Sequence, residues 1–331
     1  MKKTVQIVLI FIIIAGMISG GYFMMMNILV KSRFLSDSDF ADISIKNEDA
    51  IYFLNTGSSD AIIIQSNGHY AMIDAAEDND NPRGFLALEY KGYEEEILAF
   101  LKKNFADKDG KVHLDFVLGT HAHSDHIGGF DTIMKDESIF ADKAYLKEYH
   151  SENINDHEIN DWDNQEVYDQ MVDALNKKSI PIISEISSEP FTLGNFTLTI
   201  LNTEYEDGSR KVGENDNSLV VLVEKDGKKA LLTGDLDNYN HDEEKIAEIV
   251  GSVDLLKVGH HSYSHSTEKN FLQTVSPAVS VITNSYKHTD KKTLKRIAKY
   301  TKSKISCTDD EGGIGAIFKD GEIIYTHNVG L

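Results

Sequence analysis

Positions 121–126 of the chain hold three histidines and an aspartate, namely His121, His123, Asp125 and His126. Imidazole nitrogen and carboxylate oxygen are ligands that zinc and similar divalent ions take in proteins. In an extended segment His121 and His123 point the same way, because side chains two positions apart share a face. Four ligands in six residues are too crowded for one tetrahedral ion. The spacing therefore predicts two neighbouring divalent metal ions.

The flanking sequence places this cluster on a loop between a strand and a helix. Residues 114–119 have the pattern of a buried strand, and residues 127–134 have that of a helix start with two glycines for close backbone approach. Catalytic residues concentrate on such loops. The alternative is a surface histidine run that binds metal adventitiously. It is disfavoured because the chain has 13 histidines and no His-rich tract elsewhere.

Two β-rich halves with interspersed helices account for most of the remaining chain. In the second half, strands are predicted at 196–201, 219–224, 229–233 and 253–258, with a helix at 243–250. Tight turns such as residues 225–228 join several strand pairs, which does not suit a fully parallel, doubly wound sheet. The pattern favours an α/β fold of the α+β type, a four-layer αββα sandwich.

Residues 1–33 stand apart as an apolar segment. Positions 5–30 are almost unbroken apolar sequence with basic residues on both sides, and about 20 apolar residues suffice to cross a bilayer. We expect an N-terminal transmembrane helix that anchors a single-pass protein in the cell membrane, with its catalytic domain extracytoplasmic. A cleaved signal segment and a secreted protein are the alternative. Residues 34–48 are predicted to form a polar stalk, and residues 49–331 the folded domain.

The charge balance disfavours avid nucleic-acid binding by this domain. The formal net charge is −21, and the first 33 residues carry four basic and no acidic side chains, so residues 34–331 carry −25. Proteins that bind nucleic-acid backbones rely on Lys and Arg to displace counterions. A domain this acidic repels polyanions except at a local basic patch or a metal centre.

The order of several motifs resembles that of one protein superfamily. His-x-His-x-Asp-His at 121–126, followed by Gly-Gly, resembles the signature of metallo-β-lactamase-fold hydrolases. Other segments resemble one branch of that superfamily, in the expected order: 53–61, 70–75, 217–222, 230–235 and 254–261. They are similar to the extracytoplasmic hydrolase domain of ComEC-type DNA-uptake proteins and to the catalytic domain of teichoic-acid phosphorylcholine esterases. The resemblance spans roughly residues 49–327 and specifies no substrate.

The resemblance implies a role for each candidate ligand. His121 and His123 would bind the first metal ion, and Asp125 and His126 the second. Asp235, which follows the predicted strand at 229–233, would bridge both ions. An isolated Gly-Asp pair is by default interpreted as a turn. Here the other motifs of the superfamily in the same chain favour the metal-binding interpretation.

For the remaining ligands the sequence offers alternatives. His260 or His261 would complete the second site, and only one of them would bind, because adjacent residues of a strand point oppositely. The superfamily usually supplies a third histidine to the first ion, and this chain has none between His157 and Asp235. The candidates for that place are Asn217, Glu204, Glu206, Asp207, Glu214 or water. A site completed in this way is harder, so Mn²⁺ becomes an alternative to Zn²⁺.

Two divalent ions lower the pKa of a shared water and neutralise charge in the transition state. The catalytic candidates are Asp125, at the metal ions, and His288, as the proton donor to the leaving group. A surface location for His288 is the competing interpretation. The candidate substrate contacts are Tyr286, Lys287, Asn217 and Trp162.

Trp162 is the only tryptophan and lies in a polar insert, residues 147–165. An aromatic ring among carboxylates can hold a quaternary ammonium by a cation–π contact. The competing interpretation is that the ring anchors a loop by packing on the domain.

These observations favour a membrane-anchored, outward-facing metal-dependent hydrolase. We expect it to cleave phosphoester or phosphodiester bonds of a cell-envelope or extracellular substrate. One alternative is a ComEC-like nuclease that acts on DNA, which the acidity disfavours. Another is a non-catalytic envelope binding module, which the intact set of candidate ligands disfavours.

Overall fold

Seventeen strands occur in the described part of the chain, which is residues 20–205 and 211–330 of a computed structural model. They are β1 (Ala50–Phe53), β2 (Ile62–Ser66), β3 (His69–Ile73), β4 (Val112–Leu114), β5 (Phe116–Leu118), β6 (Ile139–Ala141), β7 (Ala144–Tyr145), β8 (Ile182–Ile183), β9 (Phe191–Leu193), β10 (Phe196–Leu201), β11 (Val220–Lys225), β12 (Lys228–Leu232), β13 (Leu255–Lys257), β14 (Val279–Ile282), β15 (Lys304–Cys307), β16 (Ile314–Lys319) and β17 (Glu322–His327).

Ten α-helices lie between or beside these strands in the same described residues. They are α1 (20–31), α2 (Glu94–Phe105), α3 (Ser124–Ile127), α4 (Phe130–Lys135), α5 (Asp156–Asp161), α6 (Asn164–Lys177), α7 (Asp242–Val250), α8 (Lys269–Val275), α9 (Lys291–Tyr300) and α10 (Thr308–Glu311).

The strands form two large mixed sheets and one small pair. The first sheet has eight strands in the order β17-β16-β1-β2-β3-β5-β7-β8, and the second has seven in the order β15-β14-β13-β12-β11-β10-β9. Antiparallel hairpins build one half of each sheet, and parallel strands build the other half. The small sheet pairs β4 with β6.

Three apolar layers hold the sheets and helices together. One lies between the two sheets, one lies between the first sheet and helices α2, α4 and α6, and the third lies between the second sheet and helices α7, α8 and α9. Strand β1 shows how one strand serves two layers, since Tyr52 faces the helices whereas Ile51 and Phe53 face the other sheet. This alternation is the two-residue period of a strand. The predicted αββα layering is what the structure contains.

The predicted transmembrane helix falls mainly on residues 1–19, which lie outside the described residues. Within residues 20–205 and 211–330, no helix has the length and apolar character needed to span a bilayer. Helix α1 buries Met26 and Val30, and Val30 belongs to the third apolar layer. Its large exposed apolar side chains are Tyr22, Phe23, Met24, Met25 and Ile28.

The segment 34–48 does not project as a stalk. Phe34 forms an isolated β-bridge with Ile305, and the Ala41 backbone N–H donates to the Tyr325 carbonyl at 2.8 Å. Ile45 packs on the apolar layer between the first sheet and helices α2, α4 and α6. The polar composition that suggested a stalk is interrupted by these apolar side chains. Their burial fixes the segment on the domain.

Candidate metal centre

The candidate ligands lie where the carboxyl ends of parallel strands from both sheets meet. In the first sheet β3 and β5 run parallel, and β5 is followed by a loop that carries His121 and His123 and by helix α3, which carries Asp125 and His126. In the second sheet β12, β13 and β14 run parallel, and Asp235 and His261 follow β12 and β13. The fold thus brings together side chains that are more than 100 residues apart in sequence.

One group of four side chains has the spacing of a metal site. Asp125, His126, Asp235 and His261 each place one ligand atom within 4.8 Å of the others. The two Nε2 atoms, of His126 and His261, lie 3.1 Å apart, and each is 3.2 Å from an Asp235 oxygen. Ligand atoms on a tetrahedral zinc ion lie about 3.3 Å apart when metal–ligand bonds are about 2.0–2.1 Å. We call this group the inner position.

The hydrogen bonds made by Nδ1 of His126 and of His261 leave the Nε2 atom of each ring without a hydrogen when the ring is neutral. Nδ1 of His126 lies 2.7 Å from an Asp74 carboxylate oxygen, and Nδ1 of His261 lies 3.2 Å from the Thr283 carbonyl oxygen. Both partners accept, so Nδ1 is the donor in each ring. Two lone pairs then face each other at 3.1 Å, which is favourable only with a cation between them. The donor set fits a divalent ion.

The electrostatics of the inner position favour a cation. Burial opposes a charge on His126, but the carboxylates of Asp235 and Asp74 outweigh it and hold the pKa of His126 well above its ordinary value. Burial likewise opposes a charge on His261, and the Asp235 carboxylate raises its pKa to about 9. The buried carboxylates therefore attract either protons on these rings or a metal ion.

Lys257 is a part of this centre to which the sequence analysis gave no role. Its side chain is fully buried, and its Nζ lies 2.6 Å from Asp60 and 3.2 Å from Asp235. It also donates to the Gly234 carbonyl at 2.8 Å. A lysine inside the apolar strand β13 was the available signal, because a buried ammonium needs a charged partner.

A second pair of histidines forms what we call the outer position. Nε2 of His121 lies 3.0 Å from Nδ1 of His123, and both side chains are buried. Burial, with the positive fields of His126 and His123, holds the pKa of His121 well below its ordinary value, so this ring is neutral and offers a lone pair. Among the described residues, the groups of three or more close ligands include neither His121 nor His123.

The candidates for the missing third ligand have other partners or positions. Glu206 and Asp207 lie outside the described residues, and Glu204 is exposed. Glu214 is buried beside the signature loop, but its carboxylate accepts from the Ala122 N–H at 3.1 Å and the Tyr205 hydroxyl at 2.8 Å. The Asn217 side-chain amide donates to Glu214 at 3.1 Å. Asn217 is therefore placed to support Glu214, not to line the substrate cavity described below.

His260 and His261 lie in a short turn, Gly259–Ser262, and not on a strand. Both have left-handed backbones, with φ of 50° and 46°. The strand alternation expected from the sequence is therefore wrong here. His261 joins the inner position, whereas His260 faces Asp237 at 3.3 Å.

The polar insert covers the outer position. Glu158 of helix α5 lies 3.1 Å from Nε2 of His123, and the Trp162 ring lies 4.8 Å from the His123 ring. Trp162 is 37% exposed. The ring thus sits against a candidate ligand and keeps a face that solvent reaches.

A cavity of about 930 Å³ opens on Asp125. Its apolar and aromatic wall consists of Phe85, Leu86, Ala87, Leu88, Tyr90, Tyr93, Trp162 and Tyr263. Apart from the candidate ligands, Glu77 and Asp161 add carboxyl groups to the lining of the cavity. Lys91 and His157 add basic side chains to it. Burial, then the negative fields of Asp125 and Asp78, raises the pKa of Glu77 to about 9.

The structure does not bring three of the predicted site residues to this cavity. Tyr286, Lys287 and His288 are exposed, and none of them lines it. Tyr286 packs edge-on against Phe34, and Nδ1 of His288 lies 3.1 Å from the Ser285 hydroxyl. The structure therefore places the predicted proton donor and these two predicted substrate contacts outside this cavity. The turn after β14 directs them outward, which the sequence pattern did not reveal.

Comparison with known proteins identifies the family. Residues 95–284 match the beta-lactamase superfamily domain. The chain therefore belongs to the metallo-β-lactamase superfamily, and its fold and ligand cluster make it a metal-dependent hydrolase. The chain is 25% identical over 225 residues to ComE operon protein 3 of Bacillus subtilis, covering 65% of this chain and 26% of that protein.

A second relative supports the same branch. The chain is 33% identical over 109 residues to Recombination protein 2 of Haemophilus influenzae, covering 32% of this chain and 14% of that protein. The chain thus spans about a quarter or less of the length of these relatives. The resemblance to ComEC-type proteins is confirmed by the two matches.

Two solved structures are similar to the chain at low sequence identity. The metallo-beta-lactamase fold protein YhfI from Bacillus subtilis is 14% identical with a TM-score of 0.46, covering 78% of this chain and 96% of that one. Zn²⁺-bound PqqB from Methylobacterium extorquens is 12% identical with a TM-score of 0.43, covering 75% of this chain and 85% of that one.

Proposed function

We propose that the chain is a dinuclear metal-dependent hydrolase that cleaves phosphoester or phosphodiester bonds of a cell-envelope or extracellular substrate. The observation that carries this proposal is the cavity of about 930 Å³, which joins the inner position to an aromatic and acidic wall. A phosphoryl group is an anion, so it needs cations at its binding place. Asp125 belongs both to the wall of this cavity and to the inner position, where a divalent cation fits.

When bound, Zn²⁺ or Mn²⁺ would activate a water for attack and neutralise charge on the phosphoryl group. The protein's own residues hold and orient the reacting groups. Asp125 lies at the boundary between the inner position and the cavity, with its carboxylate 3.4 Å from Nε2 of His261. Lys257 holds Asp235 from behind, at 3.2 Å. Asp235 is thereby fixed as the group that would face both ions.

Tyr263 is better placed than His288 to meet the leaving group. Its side chain lines the same cavity as Asp125, and its hydroxyl lies 3.2 Å from the Ser58 hydroxyl. Tyr263 also stands beside the His260 ring, with centroids 5.6 Å apart. A hydroxyl held at the mouth of the cavity can donate to a developing oxyanion.

The far wall of the cavity suits a substrate whose other end is neutral or positively charged. Trp162 presents an aromatic face, and Asp161 adds a negative field beside it. An ammonium over such a ring gains about 0.5–2 kcal/mol. Choline-bearing phosphodiesters of the envelope have this chemistry, which favours them over uniformly anionic substrates.

The second candidate function is a ComEC-like nuclease acting on DNA. The similarity to ComE operon protein 3 favours it. The charge of −25 on residues 34–331 disfavours it, because a long polyanion needs many cationic contacts. Lys91, one of the few basic residues of the cavity, packs over the Tyr93 ring at 4.2 Å.

The apolar residues 5–30 support attachment of this enzyme to the outer side of the cell membrane. Protease added to intact cells that carry the full chain should then digest the domain. A domain that stays intact until the cells are broken would contradict the proposed location.

An activity screen of the full chain with Zn²⁺ or Mn²⁺ tests the proposed reaction. The substrates are bis-p-nitrophenyl phosphate, p-nitrophenylphosphorylcholine, single-stranded DNA and nitrocefin, with Asp235→Asn as the inactive control. We expect turnover of the small phosphodiesters to exceed that of DNA. Faster cleavage of DNA, with a steep loss of rate as salt rises, would favour the nuclease.

A further inference from the structure

Helix α5 contacts both a candidate metal ligand and the substrate cavity. Glu158, in the middle of the helix, accepts a hydrogen bond from Nε2 of His123 at 3.1 Å. His157, Asp161 and Trp162, from the same short segment, line the cavity. The insert at 147–165 therefore does more than form a wall.

The Glu158 carboxylate is held in one place by several donors. Its Oε2 also accepts from the Glu214 N–H at 3.0 Å and from the Asn164 amide at 3.2 Å, and its Oε1 accepts from the Asn155 amide at 2.9 Å. Gly213 permits this approach, since a Cβ at that position would lie 2.6 Å from Oε1. The side chain is 13% exposed, so water competes little for these bonds.

Asn155 fixes the start of the helix that carries Glu158. Its side-chain oxygen accepts from the backbone N–H groups of His157 and Glu158, each at 3.1 Å. Such a cap satisfies N–H groups that have no partner inside the helix. The position of the carboxylate is therefore set by the helix start as well as by its own bonds.

This contact determines which nitrogen of His123 is free. When Nε2–H donates to Glu158, Nδ1 keeps its lone pair, and that atom lies 3.0 Å from Nε2 of His121. Carboxylate partners of metal-binding histidines fix the tautomer and ring orientation in this way. The outer position depends on this more than the inner one does, because it has two histidine nitrogens and the inner position has four ligand groups.

We propose that Glu158 is a positioning residue that holds His123 for the outer metal ion, so that the polar insert completes the outer position as well as the substrate wall. The inference deepens the proposed function, but its metal-binding part does not depend on the substrate. Neither the motif at 121–126 nor the missing third histidine indicated this contribution.

Trp162 supplies a direct readout of the outer position. It is the only tryptophan of the chain, and its ring lies 4.8 Å from that of His123. The metal-free full chain is titrated with Zn²⁺ while tryptophan fluorescence is recorded and bound zinc is counted. In the wild type we expect two ions per chain and a fluorescence change that follows the weaker binding event.

The Glu158→Gln variant has one oxygen left to serve four donors, so it should hold His123 poorly. We expect the affinity of the weaker event to fall about 10- to 100-fold, the range found when partners of metal ligands are lost, with the tighter event unchanged. Glu152→Gln is the matched control, because Glu152 lies in the same insert and its side chain is 74% exposed. Glu158→Asp keeps the charge and should recover part of the affinity.

Wild-type affinity for both ions in a folded Glu158→Gln protein would overturn the proposal. If Glu158→Gln does not fold, Glu158→Asp decides, since wild-type behaviour of that shorter side chain would also overturn it. No substrate is present in this experiment. Failure here therefore leaves the proposed reaction standing, and failure of the activity screen leaves the metal result standing.

Discussion

The inner and outer positions are built by different parts of the molecule. The inner position takes Asp125 and His126 from the segment after β5 in the first sheet. It takes Asp235 and His261 from the segments after β12 and β13 in the second sheet, and the buried Lys257 contacts Asp235. The outer position takes His121 and His123 from one loop, and a surface insert supports it. Strand ends of both sheets thus supply the inner position, whereas the polar insert at 147–165 supplies the support of the outer one.

Among the substitutions that test this difference between the two positions, Asp235→Asn should have the largest effect on turnover and zinc content. It removes a carboxylate of the inner position whose negative field also acts on His121, so turnover should fall by several orders of magnitude and at least one zinc ion should be lost. Initial rates and zinc content of the full chain measure the two effects. Asp226→Asn is the control, an exposed turn aspartate with a left-handed backbone that asparagine tolerates. Wild-type rates in Asp235→Asn would show that Asp235 is only a turn residue.

Lys257→Met tests the buried support of the inner position. It leaves the Asp60 carboxylate buried beside His261 without its ammonium partner at 2.6 Å. Breaking a buried pair on one side costs about 3–5 kcal/mol, so the free energy of unfolding of the metal-free protein should fall by that amount. Urea denaturation measures it. The double variant Asp60→Asn/Lys257→Met removes both charges and should recover much of the loss; an equally unstable double variant would point to lost packing instead.

Tyr263→Phe tests whether a hydroxyl in the cavity donates the proton to the leaving group. If the hydroxyl donates to the leaving group, kcat should fall about 100-fold for an alkyl leaving group, and far less for p-nitrophenolate, which needs no proton. The ratio of the two kcat values is the measurement. His288→Ala should leave both values near wild type, since His288 is exposed away from the cavity. The reverse pattern would restore His288 as the donor.

Trp162→Ala has the smallest expected effect. Loss of a cation–π contact worth about 0.5–2 kcal/mol should raise KM for p-nitrophenylphosphorylcholine by about 2- to 30-fold. KM for bis-p-nitrophenyl phosphate, which has no ammonium, is the control and should change less. Equal increases for both substrates would assign Trp162 to packing against His123 alone.

Much of the fold could be predicted from the sequence, because the local periodicity of apolar residues indicates strands and helices. The strand at 196–201 and the helix at 243–250 were predicted to within a residue or two of β10 and α7. The motif at 121–126 was readable for a similar reason, since its residues are adjacent in the chain. Side chains that meet only in the fold were harder to foresee.

Three parts of the site depended on contacts that no local pattern encodes. The choice of His261 over His260 rests on a left-handed turn, which the sequence Gly-His-His-Ser does not predict. The role of Glu158 depends on a helix that folds back over the loop 35 residues earlier. The exposure of His288 depends on the path of the chain after β14. In each case the backbone decides where a plausible residue points.

The two proposed metal positions should differ in affinity, and calorimetric titration of the metal-free full chain with Zn²⁺ measures that difference directly. We expect two binding events, a tighter one that His261→Ala abolishes and a weaker one that His121→Ala abolishes while the tighter event remains. Two events of equal affinity that either variant weakens alike, or the absence of binding in the folded wild type, would contradict the claim.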